Sequence, residues 1–342
     1  MNATPKSVFG VDVAKQVFQI HSVDQSTGEI IRKQLKRSQF LEYFANRAPS
    51  LIGMEACGGA HHWARRLQAM GHEVKLMAAK SVKAFVTGNK NDVADARAIW
   101  IATQQDAVRA VAVKTEAQQA VLAMHRMRQQ LIKGRTAQIN ALRGLLGEFG
   151  EVMPLGRKAL NEGIKGAIAR LAERLPAALI DTLRDHWNDL AQTDAKVLRI
   201  ETRLRQWLKQ DQASKAIEGI PGVGLLTATA AVATMGDPKS FRSGREFAAW
   251  LGLVPGQVGT GGRVRLLGIS KRGDTYLRTL LIHGARSVLR SKKEPGKWLE
   301  ELGKRRPTNV VIVAQANKLA RTIWAMLAHE RTYDPNYVSK VQ

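Results

Sequence analysis

The pattern of hydrophobic and polar positions near the start of the chain contains three short β-like runs: "SVFGVDV", "VFQIHSVD" and "GEIIRKQLK". Such runs predict β-strands, and the turn-forming stretches "AKQ" and "QSTG" between them predict an antiparallel meander. The pattern then predicts a helix, a strand, a helix, a strand and a helix in "SQFLEYFANR", "SLIGMEA", "HHWARRLQAMG", "EVKLMAA" and the stretch from about Asp92. Three hairpin-linked strands followed by α-β-α-β-α is the element order of an RNase H-like α/β domain with a mixed sheet.

The middle of the chain has a helical period. Residues 114–150 place apolar side chains at helical spacing without a proline, which predicts one long helix with a polar, basic face. A second helical block follows and is broken at Pro176. Two long antiparallel helices would form a coiled-coil-like arm for oligomerisation, although a helical spacer within one chain explains the pattern equally well.

The last part opens with "AIEGIPGVGLLTATAAVATMG", where two glycines, Gly222 and Gly224, separate two helical stretches. Residues 239–306 are dense in lysine and arginine. We therefore expect a mainly helical C-terminal domain that contains a helix-hairpin-helix. The expected division is an RNase H-like (RuvC-like) domain at residues 1–112, a helical arm at 113–213 and the C-terminal domain at 214–342.

Composition narrows the class of protein. The chain has 342 residues, of which 44% are hydrophobic and 24% charged, as in folded proteins. Its net charge of +24 favours nucleic acid as the partner. An anionic membrane is the competing partner, but the sequence has no apolar run long enough to span a bilayer and no signal-peptide core. Its one cysteine, Cys57, excludes an intramolecular disulfide and a cysteine-based zinc site.

Four acids stand out in this basic chain. Asp12 and Glu55 lie within apolar runs predicted to be the first and fourth strands, where a carboxylate is costly to bury unless it is paired or metal-bound. Asp92 and Asp95 are three positions apart, on one face of a predicted helix. We expect the fold to bring all four together around two Mg²⁺ or Mn²⁺ ions. The alternatives are edge or turn positions for the strand acids, and capping by Asn91 or Asp92 with dipole-complementing acids for the helix.

The C-terminal part offers two candidate phosphate contacts. Gly222 and Gly224 would let backbone N–H groups approach a DNA phosphate, although such turns also serve simple helix packing. Thr260 lies between Gly259 and two further glycines, in a stretch that suits close approach of the backbone to a phosphate. The basic residues that follow it are Arg263, Arg265, Lys271 and Arg272. The alternative for this stretch is an exposed hairpin with a solvated positive face.

Taken in order, these motifs resemble the DEDD transposases of bridge-RNA-guided insertion sequences, relatives of the Piv DNA invertase. The resemblance covers nearly the whole chain through "VFGVDVAKQVFQIH", "GMEACGGAHHWARRL", "KNDVADARAI", "IPGVGLLTA", "FAAWLGLVPGQ" and "LGISKRGDTYLRTLLIHGAR". It implies site-specific DNA recombination or transposition, a RuvC-like metal site made by the four acids, and a guide RNA encoded by the element. It also implies donor and target DNA as partners, a homo-oligomer (dimer or tetramer), and a prokaryotic, cytoplasmic, nucleoid-associated protein with no membrane partner.

The resemblance further implies a hydroxyl nucleophile in the C-terminal domain that holds DNA as a covalent phosphoester. Relatives commonly have a serine in the glycine-rich loop, whereas this chain has Gly259 and Thr260 where two small hydroxyl residues are frequent. Thr260 is therefore the expected nucleophile and Ser270 the fallback.

Two rival functions remain on the sequence alone. One is a metal-dependent endonuclease of the Holliday-junction type, with the same acids but no covalent intermediate. The other is a non-catalytic nucleic-acid scaffold in which the acids only cap and pair.

Overall fold

The computed structural model describes residues 7–88, 91–291 and 296–334. Its contacts divide the chain into two units. The first comprises Met1–Gln119 and Met235–Arg242, and the second comprises Ala120–Thr234 and Ser243–Gln342. The helical arm and the C-terminal region thus belong to one unit, whereas the sequence suggested separate domains. The three-domain division of the sequence stays a prediction.

The first unit contains a mixed six-stranded sheet. Its strands are β1 (Val8–Val13), β2 (Val17–Val23), β3 (Ile30–Lys36), β4 (Leu51–Glu55), β5 (Glu73–Met77) and β6 (Ala110–Val111). Their order is β3-β2-β1-β4-β5-β6; the neighbours β1, β4 and β5 are parallel and the other pairs are antiparallel. The first five strands are those expected from the sequence, and their arrangement is consistent with an RNase H-like domain. The two-residue strand β6 was not predicted.

Helices cover both faces of this sheet. They are α1 (Phe40–Ala45), α2 (Ala60–Ala69), α3 (Ala79–Lys83) and α4 (Asp92–Thr103). Residues that alternate along β1 point to opposite faces. Phe9 and Val11 belong to a buried cluster with residues of α1 and α2, such as Phe40 and Trp63. Residues of α4, such as Ile99, form a second cluster with the end of β5.

The arm consists of α5 (Glu116–Glu148), α6 (Arg157–Ala172) and α7 (Ala177–Gln210). Helices α5 and α7 are antiparallel, because partners on α7 come earlier as those on α5 come later. Three contacts show this in order: Arg128 with Glu201, Arg135 with Asp194 and Gln138 with His186. At 1.5 Å per residue, each long helix extends about 50 Å. The predicted long helices and the break at Pro176 are confirmed, since Pro176 is the N-cap of α7.

The rest of the second unit is mainly helical, as predicted, with one hairpin. Its elements are α8 (Gln212–Glu218), α9 (Leu225–Met235), α10 (Gly244–Trp250), β7 (Pro255–Thr260), β8 (Arg263–Ile269), α11 (Thr275–Ser291), α12 (Lys297–Arg305) and α13 (Thr308–His329). Helix α13 packs against α10 closely enough that a Cβ atom at Gly244 would lie 2.9 Å from the carbonyl oxygen of Arg321. It also holds the segment before the hairpin, since Nδ2 of Asn317 donates to the carbonyl of Leu253 at 3.2 Å.

Candidate active site

Asp12 and Glu55 lie side by side at the carboxyl ends of two neighbouring parallel strands. Gly10 on β1 is in register with Gly53 on β4, and Val11 is in register with the next residue of β4. The following pair is therefore Asp12 and Glu55, on strands about 4.8 Å apart. Each acid lies two residues beyond a glycine of the register pair, so both side chains point to the same face of the sheet. Both acids are half-buried.

Helix α4 lies directly on that face. A Cβ atom at Gly10 would lie 2.4 Å from the carbonyl oxygen of Ala96, and one at Gly53 would lie 1.7 Å from Oγ1 of Thr103. Only glycine allows this approach of helix to sheet. In the sequence, the only sign of this close approach is a glycine two residues before each strand acid.

Asp92 and Asp95 form part of the first turn of α4. Asp92 lies four residues before Ala96 and Asp95 lies four residues before Ile99, and both apolar residues are buried, so the acids continue the stripe that faces the sheet. Asn91 is the N-cap, and its side chain accepts a hydrogen bond from the amide of Ala94 at 2.8 Å. Neither aspartate therefore serves as the cap, one of the two alternatives left open for capping. First-turn acids still complement the helix dipole.

Cys57 lies close enough to the two strand acids for their charges to affect its pKa. Its Sγ lies 3.7 Å from the carbonyl oxygen of Val13. Burial raises the pKa of this thiol, and the negative charges of Glu55 and Asp12 raise it further. Both carboxylates therefore lie near the same thiol, at the carboxyl ends of β1 and β4.

Thr260 lies at the tip of a β-hairpin and not in a flexible loop. Strands β7 and β8 are joined by Gly261 and Gly262, with φ angles of +57° and +79°. Two positive φ angles are the mark of a tight hairpin turn, which glycine adopts without strain. The structure thus has the exposed hairpin that was the alternative for this stretch. A Cβ atom at Gly259 would lie 2.5 Å from the carbonyl oxygen of Arg263, so a larger residue there would require the hairpin to shift.

One face of the hairpin combines the hydroxyl with positive charge. Thr260 is directly opposite Arg263, and Val258 is opposite Arg265. Directly opposite residues of an antiparallel pair share a face, as do residues two apart along a strand. The Thr260 hydroxyl and both guanidinium groups therefore lie on one face, and all three residues are exposed.

Ser270, the fallback nucleophile, is placed differently. Its Oγ is buried and has no hydrogen-bond partner within the described ranges. Its amide donates to the carbonyl of Val254 at 2.8 Å, which holds the residue against the segment before β7. Lys271 and Arg272 come next and are exposed, and Lys271 has a φ of +54° that is unusual for a residue other than glycine. The backbone here presents the two basic side chains and turns the serine inward.

The turn with the two glycines joins α8 to α9. A Cβ atom at Gly222 would lie 2.8 Å from the carbonyl oxygen of Gly284 on α11, and one at Gly284 would meet the carbonyl oxygen of Gly222. The amide of Val223 donates to the carbonyl of Ile220 at 2.8 Å and is already used. Gly222 thus serves helix packing, the alternative considered for this turn. Around Gly224 a Cβ atom would meet nothing within 4 Å.

Comparison with known proteins gives matches to both parts of the chain that carry candidate residues. Residues 9–150 match the DEDD transposase family of IS110 elements, and residues 214–298 match the transposase IS116/IS110/IS902 family. A probable family 20 transposase of Pseudomonas aeruginosa is 47% identical over 96% of this chain and 99% of its own length. The chain belongs to the IS110 family of transposases. The transposase for insertion sequence element IS1111A of Coxiella burnetii is 40% identical over 95% of this chain and 91% of its own length. That of IS1328 from Yersinia enterocolitica is 37% identical over 94% and 96%.

The matched segments coincide with the candidate residues of this IS110-family transposase. The first contains Asp12, Glu55, Asp92 and Asp95, and the second contains the α8–α9 turn and the hairpin with Thr260. The chain is therefore a DNA transposase, an enzyme that acts on DNA. No helix in the described ranges is both long and apolar enough to cross a membrane.

A DEDD-type transposase domain implies a divalent metal ion. The donors here fit such an ion in chemistry, since carboxylate oxygens are preferred by hard divalent cations. Asp12 and Glu55 also fit in placement, being adjacent on one face of the sheet. Within residues 7–88, 91–291 and 296–334, no three histidine, cysteine, aspartate or glutamate side chains form a ready metal cluster. The predicted convergence of all four acids on one site therefore stays a prediction.

Proposed function

We propose that this IS110-family transposase breaks and rejoins DNA strands through a covalent intermediate on Thr260. The observation that carries the proposal is the hairpin face on which the exposed Thr260 hydroxyl lies beside Arg263 and Arg265. Guanidinium groups bind phosphate oxygens through charge-assisted hydrogen bonds, so a DNA phosphate that docks here lies within reach of the hydroxyl. The burial of Ser270 Oγ disfavours the second candidate nucleophile.

In the proposed step, Oγ1 of Thr260 forms a bond to phosphorus, and the bond between phosphorus and one deoxyribose oxygen breaks. The threonine proton leaves to solvent, and the departing deoxyribose oxygen takes up a proton. One phosphodiester linkage becomes one phosphoester linkage to the protein, so the bond energy is kept for rejoining. Arg263 and Arg265 neutralise negative charge on the phosphate oxygens. The methyl group of Thr260 crowds the attack, but the glycines on either side of it leave the tip free of other side chains.

Asp12, Glu55, Asp92 and Asp95 are the proposed ligands of Mg²⁺, or of Mn²⁺ in its place. A bound ion would supply activation of an attacking oxygen and stabilisation of a leaving one. Asp12 and Glu55 are held on strands whose backbone is fixed by the sheet, so their spacing is set before metal binds. Asn91 takes the cap position of α4, which leaves the carboxylates of Asp92 and Asp95 outside that role.

We further propose that a guide RNA encoded by the element binds along the arm. A groove of about 720 Å³ lies between α5 and α7, and its lining includes Lys196, Arg199 and Arg203 as well as the apolar Leu131 and Ile200. The three basic residues are exposed and spaced three and four apart, on one face of α7. A row of cations fits a sugar-phosphate backbone, while the sequence of the target is read by base pairing.

The oligomer and the location in the cell are part of the same proposal. We propose a dimer or tetramer that holds donor and target DNA together, in the prokaryotic cytoplasm at the nucleoid. The long helices of the arm offer a surface for such assembly.

Three variants test the nucleophile. Thr260→Ala should abolish strand exchange and leave DNA affinity unchanged, whereas Thr260→Ser should keep both. Thr279→Ala is the matched control, since Thr279 is an exposed threonine on α11 whose hydroxyl donates to its own helix. Strand exchange by Thr260→Ala at the wild-type rate would mean that another residue is the nucleophile, whereas cleavage by the wild-type protein without rejoining would favour a metal-dependent endonuclease that uses water and forms no covalent intermediate.

A further inference from the structure

Hydrogen bonds from two residues of α5, one buried and one partly buried, join four helices of the second unit. Nδ1 of His125 on α5 lies 2.9 Å from the hydroxyl of Tyr276 on α11, and its Nε2 lies 3.0 Å from Oγ1 of Thr229 on α9. The positive charge of Arg128, one turn further along α5, also acts on the Tyr276 hydroxyl. Arg128 is in turn paired with Glu201 on α7 at 2.7 Å. His125 is only 1% exposed, so its own two bonds are shielded from water, whereas the Arg128–Glu201 pair is partly exposed.

The geometry sets the direction of each proton in these hydrogen bonds. The Thr229 hydroxyl donates to the carbonyl of Leu225 at 2.8 Å, so its oxygen is the acceptor for His125. Nε2 of His125 therefore carries the proton, and its bare Nδ1 accepts from the Tyr276 hydroxyl. The tyrosine oxygen is then free to accept from Arg128, which has only donors. Every member has a partner of the right kind when His125 is neutral.

The neutral form of His125 is the one that the site favours. Burial, followed by the positive charge of Arg128, lowers the pKa of this histidine to about 4. The ionisable groups that act on Tyr276 are Arg128, Asp274 and Glu201, and burial raises the pKa of its hydroxyl. Tyrosine and histidine thus both stay uncharged near neutral pH, with one fixed pattern of donors.

Tyr276 is in the first turn of α11, next to the 270–274 turn that follows the hairpin. Asp274 caps this helix by accepting from the amide of Leu277 at 2.7 Å. Arg278, 7% exposed, donates to the carbonyls of Leu251 and Arg272 at 2.9 and 2.8 Å. One turn of α11 therefore contacts the arm through Tyr276. Through Arg278 it contacts the segments that precede and follow the hairpin.

We propose that Tyr276 is a positioning residue for strand exchange, whose hydroxyl fixes α11 against the arm and thereby sets the 270–274 turn and the hairpin. The inference rests on the proposed function in that the hairpin carries the reacting hydroxyl. Tyr276 itself touches no reacting atom. Its loss allows the turn to open, so the basic residues Lys271 and Arg272 and the hairpin tip spend less time in the reactive arrangement.

The first test uses limited trypsin digestion, because Lys271 and Arg272 are exposed cleavage sites within the turn. Tyr276→Phe removes only the hydroxyl and should raise the cleavage rate there about 10-fold, the effect of one ordinary buried hydrogen bond. Tyr43→Phe is the matched control: the Tyr43 hydroxyl is also buried but has no hydrogen-bond partner among the described residues. Cleavage of Tyr276→Phe at the rate of the control would overturn the inference. This assay needs no DNA chemistry, so its outcome is independent of which nucleophile reacts.

The second test separates the two bonds of His125. An asparagine at 125 can place its amide oxygen near the position of Nδ1 and still accept from Tyr276, whereas a glutamine can reach Thr229 with its amide nitrogen instead. We expect His125→Asn to keep more strand exchange than His125→Gln at equal DNA affinity, although asparagine leaves the larger cavity. A merely structural role predicts the opposite order, since glutamine fills the site better. That opposite order, or a loss of DNA affinity in step with exchange, would contradict the inference.

Discussion

Gly10 and Gly53 lie opposite each other on adjacent parallel strands, and neither has room for a Cβ atom beneath α4. Each is two residues before a candidate metal ligand. Helix α4 carries Asp92 and Asp95 and lies on the sheet face of Asp12 and Glu55. It can approach this closely only because Gly10 and Gly53 have no side chain.

We expect alanine at either glycine to destabilise the protein, by about 1–3 kcal/mol for an overpacked contact. The obstacle at Gly53 is the side chain of Thr103, whereas the obstacle at Gly10 is the backbone of α4. Thr103→Ala should therefore recover part of the stability lost in Gly53→Ala and none of that lost in Gly10→Ala. Urea unfolding of the single and double variants measures both, and equal rescue of the two would show that the contacts are misassigned.

Acid should weaken the second unit through His125. Its pKa is lowered to about 4 in the folded protein, against 6.5 for the free side chain. Above pH 6.5 both states are neutral and the stability is complete; below it the unfolded chain takes up the proton first, so stability falls until about pH 4. The loss attributable to this group amounts to about 3 kcal/mol.

Unfolding free energies of wild-type protein and His125→Gln between pH 7 and 4 measure this loss. Carboxylates contribute equally to both proteins, so the difference between the two curves isolates the histidine. Parallel curves would mean that His125 is protonated as readily in the folded state as in the unfolded state.

The metal site can be tested without catalysis. Mn²⁺ should raise the melting temperature of the wild-type protein, because a ligand bound only to the folded state stabilises it. Asp12→Asn and Glu55→Gln should lose this rise together with strand exchange, and keep DNA binding. Glu42→Gln is a suitable control, since Glu42 is an exposed acid in the first turn of another helix. A Mn²⁺ effect of full size in Asp12→Asn would place the ion elsewhere.

Nucleic-acid binding to the arm should show in the salt dependence. Each phosphate contact that is removed lowers the slope of log affinity against log salt by about 1. Replacing Lys196, Arg199 and Arg203 by glutamine should therefore reduce the slope by about 3 for the guide RNA. Arg184→Gln, a change on the same helix at a residue paired with Asp181, should leave it unchanged. An unaltered slope in the triple variant would exclude the groove as the RNA surface.

Much of the fold was predictable because its elements are local in the sequence. Short β-like runs predicted β1 to β5 in order, and Pro176 marked the start of α7. The hairpin was harder, since the glycines around Thr260 suit both a flexible loop and a tight turn, and the choice depends on cross-strand pairing. β6 has only two residues and no period of its own.

The candidate site was predictable where a residue type is chemically costly. An acid in an apolar strand pointed to Asp12 and Glu55. Tertiary contacts are not visible in the sequence. The glycine turn suggested a phosphate contact at Gly222, whereas the structure shows that Gly222 packs against Gly284. His125 and Tyr276 are 151 positions apart, and the sequence around a histidine on the apolar side of a helix does not indicate which residue it bonds to.

During strand exchange, DNA should become covalently attached to Thr260. The most direct measurement is mass spectrometry of peptides from a protein–DNA adduct trapped during strand exchange with Mg²⁺. We expect a nucleotide remnant on Thr260 in the wild-type protein, on the serine in Thr260→Ser, and no adduct in Thr260→Ala. A remnant on Ser270 or any other residue, or strand exchange without an adduct, would contradict it.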